Sequence, residues 1–239
     1  MPAVTEPRTA PAGRRERPAK PALTREGVVA TATALVREEG AARLTMRRLA
    51  QRLDTGPASL YVYVRDTAEL QAAVLGEFLA GVDLAPVGAA GPWDERLRRV
   101  LASYAGLLHD YPGLARVAVV TRPSGEHYLA LIEALLALLA EGGVPDDRAA
   151  WLVDLFLLVA TASAAEHGTR AEEHTEAAAD DAVARAVRGA SADRFPHVAR
   201  LVEDLLSGEG PDRARWFVDL MLAGAAAVPR PSPSLVGEG

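Results

Sequence analysis

The chain has 239 residues, 49% of them hydrophobic and 24% charged, enough apolar material for a large core, so a wholly disordered polymer is excluded. It contains no cysteine, which removes disulfides, thiolate metal sites and cysteine nucleophiles and suits a cytoplasmic protein. The net charge of −6 is unevenly divided: residues 1–81 hold 12 Lys/Arg against 9 Asp/Glu, and the remainder holds 14 against 23. Phosphates are therefore repelled by the acidic body and meet only the head.

In chain order, residues 1–21 are rich in Pro, Ala and Arg without hydrophobic periodicity and read as a disordered basic arm. A first helix is expected from Thr24, a capping residue flanked by the staple pair Leu23 and Val28, and is stopped by Gly40. The same pattern repeats with Leu44 and Leu49 around the cap Thr45, which predicts a second helix of about two turns. Asp54-Thr55-Gly56 is a turn, and Pro57 suits the first position of a third short helix over 57–63. Asp66 to Glu69 forms a capping box that opens a longer fourth helix towards Gly81.

Residues 82–91, with Pro86, Gly88 and Gly91, form the candidate linker. Beyond it helices are expected at 93–109, 114–120, 126–141, 146–167, 194–206 and 212–228. Residues 168–190 are polar and alanine-rich, open to a helix or a mobile loop, and 229–239 read as a disordered tail. Strand-like alternation is missing, so the fold class is all-α. The division is arm 1–21, head 22–83, body 92–228 and tail 229–239. The first twenty residues lack an apolar leader, and the longest apolar stretch, 151–165, contains Asp154 and is shorter than the roughly 20 residues of a membrane span. No membrane association or export is expected.

Two short helices joined by a tight turn, behind one supporting helix and ahead of another, have the form of a helix-turn-helix. The run Leu44-Thr45-Met46-Arg47-Arg48-Leu49-Ala50-Gln51-Arg52-Leu53, followed by Ser59-Leu60-Tyr61-Val62-Tyr63-Val64-Arg65-Asp66, strongly resembles the N-terminal domain of TetR-family repressors. The resemblance covers residues 23 to about 79. It implies a three-helix DNA-binding head, a linking fourth helix, a helical ligand-binding and dimerisation body, and a homodimer formed chiefly by two long C-terminal helices.

By that resemblance Thr45 and Arg47 match positions that contact phosphate and a base. Pro57, Ala58 and Ser59 match the leading face of the recognition helix, and Tyr61 and Tyr63 match backbone-contacting positions. Arg offers a bidentate fork to guanine, and a tyrosine hydroxyl can donate to phosphate. A lysine that many relatives carry just inside the fourth helix is replaced by Thr67, so its phosphate contact is weakened or supplied by Arg65. The bland alternatives are that Arg47 and Arg48 form a solvated face and that either tyrosine is a half-buried packing residue. Leu49, Leu53, Leu60, Val64 and Leu70 read as core.

In the body, Tyr104, Leu108, His109, Phe156 and Met221 are candidates for an apolar pocket holding a small-molecule inducer. Thr121-Arg122-Pro123 resembles the matching segment of tetracycline repressors, and Phe195-Pro196-His197 with Trp216-Phe217 a common ending among relatives. Ala118 stands where those repressors place a metal-liganding histidine, and no histidine lies near Gly81. Both departures argue against magnesium-tetracycline as inducer. His167 and His174 lie among Glu166, Glu172, Glu173 and Glu176, but such a run reads as a solvated face without metal-ligand spacing. There is no glycine-rich phosphate loop, nucleophile elbow or His-Glu-x-x-His motif, so neither an enzyme nor a cofactor is expected.

Overall fold

The computed structural model describes residues 22–172, 176–208, 210–229 and 231; the expected basic arm, most of the expected tail and the pair Glu173–His174 lie outside them. Among the described residues the secondary structure is helical, without strands. The first helix, α1 (Arg25–Glu39), starts where the Thr24 hydroxyl accepts the Gly27 N–H at 3.0 Å. A 3₁₀ turn at Ala41–Arg43 follows, and α2 (Met46–Arg52) opens with Thr45 accepting the Arg48 N–H at 3.1 Å. Each cap satisfies a backbone donor that the first helical turn leaves without a partner.

In the turn after α2 it is Asp54, not Gly56, that enters the left-handed region, with φ 51°; Asp tolerates this conformation better than most residues. The third helix, α3 (Pro57–Leu60), is shorter than the expected 57–63. The Tyr63 and Val64 N–H groups still donate to the Leu60 carbonyl, so the chain continues as a helical turn. Asp66 caps α4 (Thr67–Phe78), which tightens into a 3₁₀ turn at Leu79–Gly81. The linker holds another such turn, Ala85–Gly88, tied down where buried Arg96 donates to the Val87 carbonyl at 2.8 Å and pairs with Glu141.

The body consists of α5 (Trp93–Asp110), α6 (Pro112–Val120), α7 (Glu126–Glu141), α8 (Asp146–Glu172), α9 (Glu176–Arg188), α10 (Pro196–Arg200), α11 (Val202–Leu206) and α12 (Gly210–Ala227). Three differences from the sequence reading have tertiary causes or local geometry behind them. First, α8 runs past Gly168; Pro112 of α6 lies 2.4 Å from where a Cβ on Gly168 would be, so the glycine serves close packing rather than termination. Second, α9 occupies much of the segment left open between helix and loop. Third, the helix expected over 194–206 begins only at Pro196, since the residue before a proline is pushed out of the α region. It is then divided at Leu201, with φ −108° and ψ 18°.

Residues 146–168 are long and apolar enough to cross a membrane, at mean hydropathy 1.5, against the expectation from the shorter apolar run. Leu152, Val153, Phe156 and Leu157 on this helix are buried in the body core, which accounts for its apolarity within the fold.

Two hydrophobic cores meet at α4. Leu70, Val74 and Phe78 belong to the head core with Val28, Leu35, Leu49 and Leu60, whereas Leu75 and Leu79 belong to the body core. α6 makes a second bridge: Leu114 is buried in the head core, and Tyr111 meets the edge of Phe78 at 4.7 Å. Gly76 lets the backbone of the α6–α7 loop approach α4, since a Cβ there would lie 2.0 Å from the Ser124 carbonyl oxygen.

Two glycine replacements are therefore expected to act in opposite directions. Gly76→Ala is expected to destabilise the protein by about 1–3 kcal/mol, as overpacking does. Gly106→Ala, in α5 with nothing within 4 Å of its Cβ position, is expected to stabilise it by about 0.4–1 kcal/mol through chain entropy. Equilibrium denaturant unfolding of both variants reads the two signs.

Candidate nucleic-acid interface

The folded head is formally neutral, with seven arginines and seven acidic residues between positions 22 and 81. What matters is which arginines are already engaged. Glu39, at the end of α1, accepts Arg48 through two hydrogen bonds, 2.6 and 3.1 Å long. That hydrogen bonding holds the Glu39 carboxyl below its ordinary range and raises Arg48. Arg52 pairs with Glu38 at 2.5 Å, and the Arg37 guanidinium lies 5.0 Å from the centre of the Phe78 ring. Glu69 pairs with both Arg25 and Arg65, at 3.3 and 3.1 Å.

Among the described residues, Arg43 and Arg47 are the head arginines whose guanidinium groups have no ion pair, hydrogen bond or ring contact with the protein. Both are exposed. Family resemblance singles out Arg47 over Arg48; the structure gives the two a physical difference, because Glu39 takes Arg48 and leaves Arg47.

The recognition segment is held from beneath by Leu60 and Val64, both buried, and offers Pro57, Ala58, Ser59, Tyr61 and Val62 to solvent. Tyr61 is 53% and Val62 80% exposed. Tyr63 is half-buried and packs against the head core, so the alternative of a packing residue holds for part of its side chain. Thr45 is exposed but its hydroxyl is engaged as the α2 cap. Thr67 is exposed at the start of α4, and the neighbouring Arg65 is 87% exposed with its guanidinium turned to Glu69. Arg43 and Val62, which sequence reading does not single out, are also exposed beside the buried framework, a feature that one sequence does not show.

The capping box at α4 closes one residue early. Asp66 accepts the Glu69 N–H at 2.8 Å, while the Glu69 carboxylate returns to the Arg65 N–H at 2.9 Å rather than to Asp66. The Arg65 backbone and side-chain hydrogen bonds, then the Arg25 hydrogen bond, bring the Glu69 carboxyl from an ordinary 4.5 to about 2.

In the body, Tyr104, Leu108, Phe156 and the half-buried Met221 come together in one core. His109 does not join them. It is exposed, one residue round the helix from Leu108, with its ring 5.9 Å from that of His167. The Tyr104 hydroxyl and the Thr161 hydroxyl, both buried, are 2.7 Å apart between α5 and α8. Burial pushes the Tyr104 hydroxyl above its ordinary pKa, opposed by the Thr161 hydrogen bond. Among the described residues no group of three or more His, Asp or Glu side chains could hold a metal ion.

A helix-turn-helix head mounted on a larger helical body is the architecture of a ligand-responsive transcriptional regulator. Residues 85–228 match the family description "Tetracyclin repressor-like, C-terminal domain". A crystal structure of a Streptomyces coelicolor protein assigned as a transcription regulator is 49% identical, covering 90% of this chain and 100% of that one, with TM-score 0.77. The S. coelicolor TetR-family protein ActR, in complex with actinorhodin, is 30% identical over 87% of this chain and 97% of its own, with TM-score 0.74. The class D tetracycline repressor of Escherichia coli is 34% identical over 122 residues, which are 51% of this chain and 56% of the repressor. The chain spans about half the length of the curated relatives it matches. It belongs to the TetR family of transcriptional regulators, and these relatives are regulators rather than enzymes.

Because the Glu69 carboxyl lies below its ordinary value, its contribution to head stability is complete above about pH 4.5 and fades as the pH falls towards 2. Acid unfolding followed by circular dichroism is expected to show a shallower decline over that interval for Glu69→Gln than for the parent. Equal slopes would mean that the carboxylate is not held by Arg65 and Arg25.

Proposed function

We propose that the protein is a cytoplasmic homodimeric repressor that binds operator DNA through α2 and α3 and is released when a small molecule enters the body. The observation that carries the DNA-binding reading is the unpaired, exposed Arg47 on a helix-turn-helix whose other cations are largely engaged by carboxylates or an aromatic ring. Thr45, Pro57, Ala58, Ser59, Tyr61, Tyr63, Arg65 and Thr67 make up the rest of the proposed contact surface. Within it Arg47 reads a base, while hydroxyls and backbone N–H groups set the register on phosphate.

The dimer reading is supported by the outer faces of α8 and α12. Trp151, Leu155 and Leu158 recur at helical spacing on α8, and Trp216 and Leu220 on α12; these large apolar side chains are between 38% and 65% exposed in the single chain. Such a stripe is costly in water and self-complementary under a two-fold axis. Two heads fixed by that axis fit a palindromic site.

The ligand reading is supported by the chemistry of the body core and by a relative. Tyr104, Leu108, Phe156 and Met221 lie together in the body core, where a ligand that parted them would meet an apolar lining with the Tyr104–Thr161 hydroxyl pair as a polar anchor. ActR, a relative of the same architecture, is known in complex with actinorhodin. Release requires that the ligand favour a conformation in which the heads no longer match the operator, because equal affinity for both states shifts nothing.

Arg47→Ala is expected to weaken specific binding by about 1–3 kcal/mol and relax preference at one operator position. Arg48→Ala is expected to leave that preference intact. Electrophoretic mobility shifts with the two variants test the assignment, and equal, unchanged preferences would refute it. Leu158→Arg is expected to shift the protein from dimer to monomer in light scattering and to abolish operator binding. Its position outside the monomer core leaves the helical circular dichroism unchanged.

A further inference from the structure

The tip that α3 offers is unusual for a base-reading surface in what it lacks. From Gly56 to Val64 there is no Arg, Lys, Asn, Gln, Asp or Glu, so none of the side chains that form bidentate hydrogen bonds with base edges is present. Its exposed side chains are Pro57, Ala58, Ser59, Tyr61 and Val62. The Val64 N–H donates to the Leu60 carbonyl at 3.1 Å, so the helical path continues beyond α3, and Ala58 and Val62, four residues apart, share one face. Val62 is 80% exposed while Leu60 and Val64 on either side are 0% and 2% exposed. A β-branched side chain, stiff at χ1 and fixed on a buried framework, is thus held outward beside the short side chain of an alanine.

In the major groove the apolar group that distinguishes one base from the others is the 5-methyl of thymine. We propose that Val62, with Ala58 beside it, reads a thymine methyl in each operator half-site, so that the DNA this protein selects is defined by methyl contact at that position rather than by hydrogen bonding. The inference rests on the DNA-binding reading above and adds the chemistry of the base recognised. Arg47 supplies the hydrogen-bonded contact of the half-site, and the α3 tip supplies the apolar one.

The test uses the full chain and a duplex that it enriches from a randomised DNA pool. That duplex is resynthesised with each thymine in turn replaced by deoxyuridine, which deletes the methyl and leaves every hydrogen-bonding group in place. The expected result is a loss of about fourfold in affinity at one position per half-site, the worth of one buried methyl-sized group. Val62→Ala is expected to bind the thymine duplex more weakly than the parent and to discriminate little between thymine and deoxyuridine there. Unchanged denaturant unfolding of this variant shows that the exposed side chain is not a folding determinant. Equal affinity of the parent for every substituted duplex overturns the inference while the DNA-binding reading stands. Full discrimination retained by Val62→Ala overturns the assignment to Val62. Failure to enrich any duplex overturns both readings together.

Discussion

The structure depends on α4 being buried on two sides at once. Leu70, Val74 and Phe78 close the head core, Leu75 and Leu79 close the top of the body core, and Gly76 removes the Cβ that would hold the Ser124 carbonyl away. Interiors packed to crystal-like density transmit displacement rather than absorb it. A shift of the α6–α7 loop therefore bears directly on the helix that orients the head. α6 reinforces the coupling from the other side, through Leu114 in the head core and Tyr111 against the edge of Phe78. Head and body are joined by packing at two places, although the chain itself passes between them only through α4 and the linker.

The electrostatics of the head follow from the same economy of contacts. Exposed ion pairs contribute little to stability individually, but here they have a second effect: Glu38 and Glu39 fasten α2 to α1 through Arg52 and Arg48, and Glu69 holds Arg25 and Arg65. Together these pairs neutralise four of the seven head arginines. The basic excess of the N-terminal part resides in residues 1–21, which hold five Lys/Arg and two acidic residues, whereas residues 22–81 balance. A head of this kind relies on placement of a few groups rather than on bulk positive charge.

Much of this was legible in the sequence wherever the governing interaction is local. Thr24, Thr45 and Asp66 cap their helices through side-chain bonds to the third following residue, and a bond that short is written in neighbouring letters. The rest is set by partners distant in sequence. Gly168 reads as a helix end until Pro112 is seen lying against it, and Arg48 reads as part of a solvated face until Glu39 is seen to hold it. His109 reads as a pocket candidate and is exposed, since one residue along a helix from buried Leu108 turns a side chain by about 100°. Leu114 reads as a body residue and is packed into the head. Each of these is a fact of packing between elements, which periodicity alone does not contain.

The central claim is that the body sets the separation of two operator-bound heads. Because the chain has no cysteine, Ala30→Cys on the exposed side of α1 gives one spin-labelling site per protomer, away from the proposed DNA contacts. Pulsed electron resonance on this protein with its selected operator is expected to give one narrow interlabel distance, which shifts or broadens when a compound found to release the DNA is bound. A distance that stays narrow and unchanged while the compound releases the DNA would contradict the account, as would the absence of any dipolar signal on the operator.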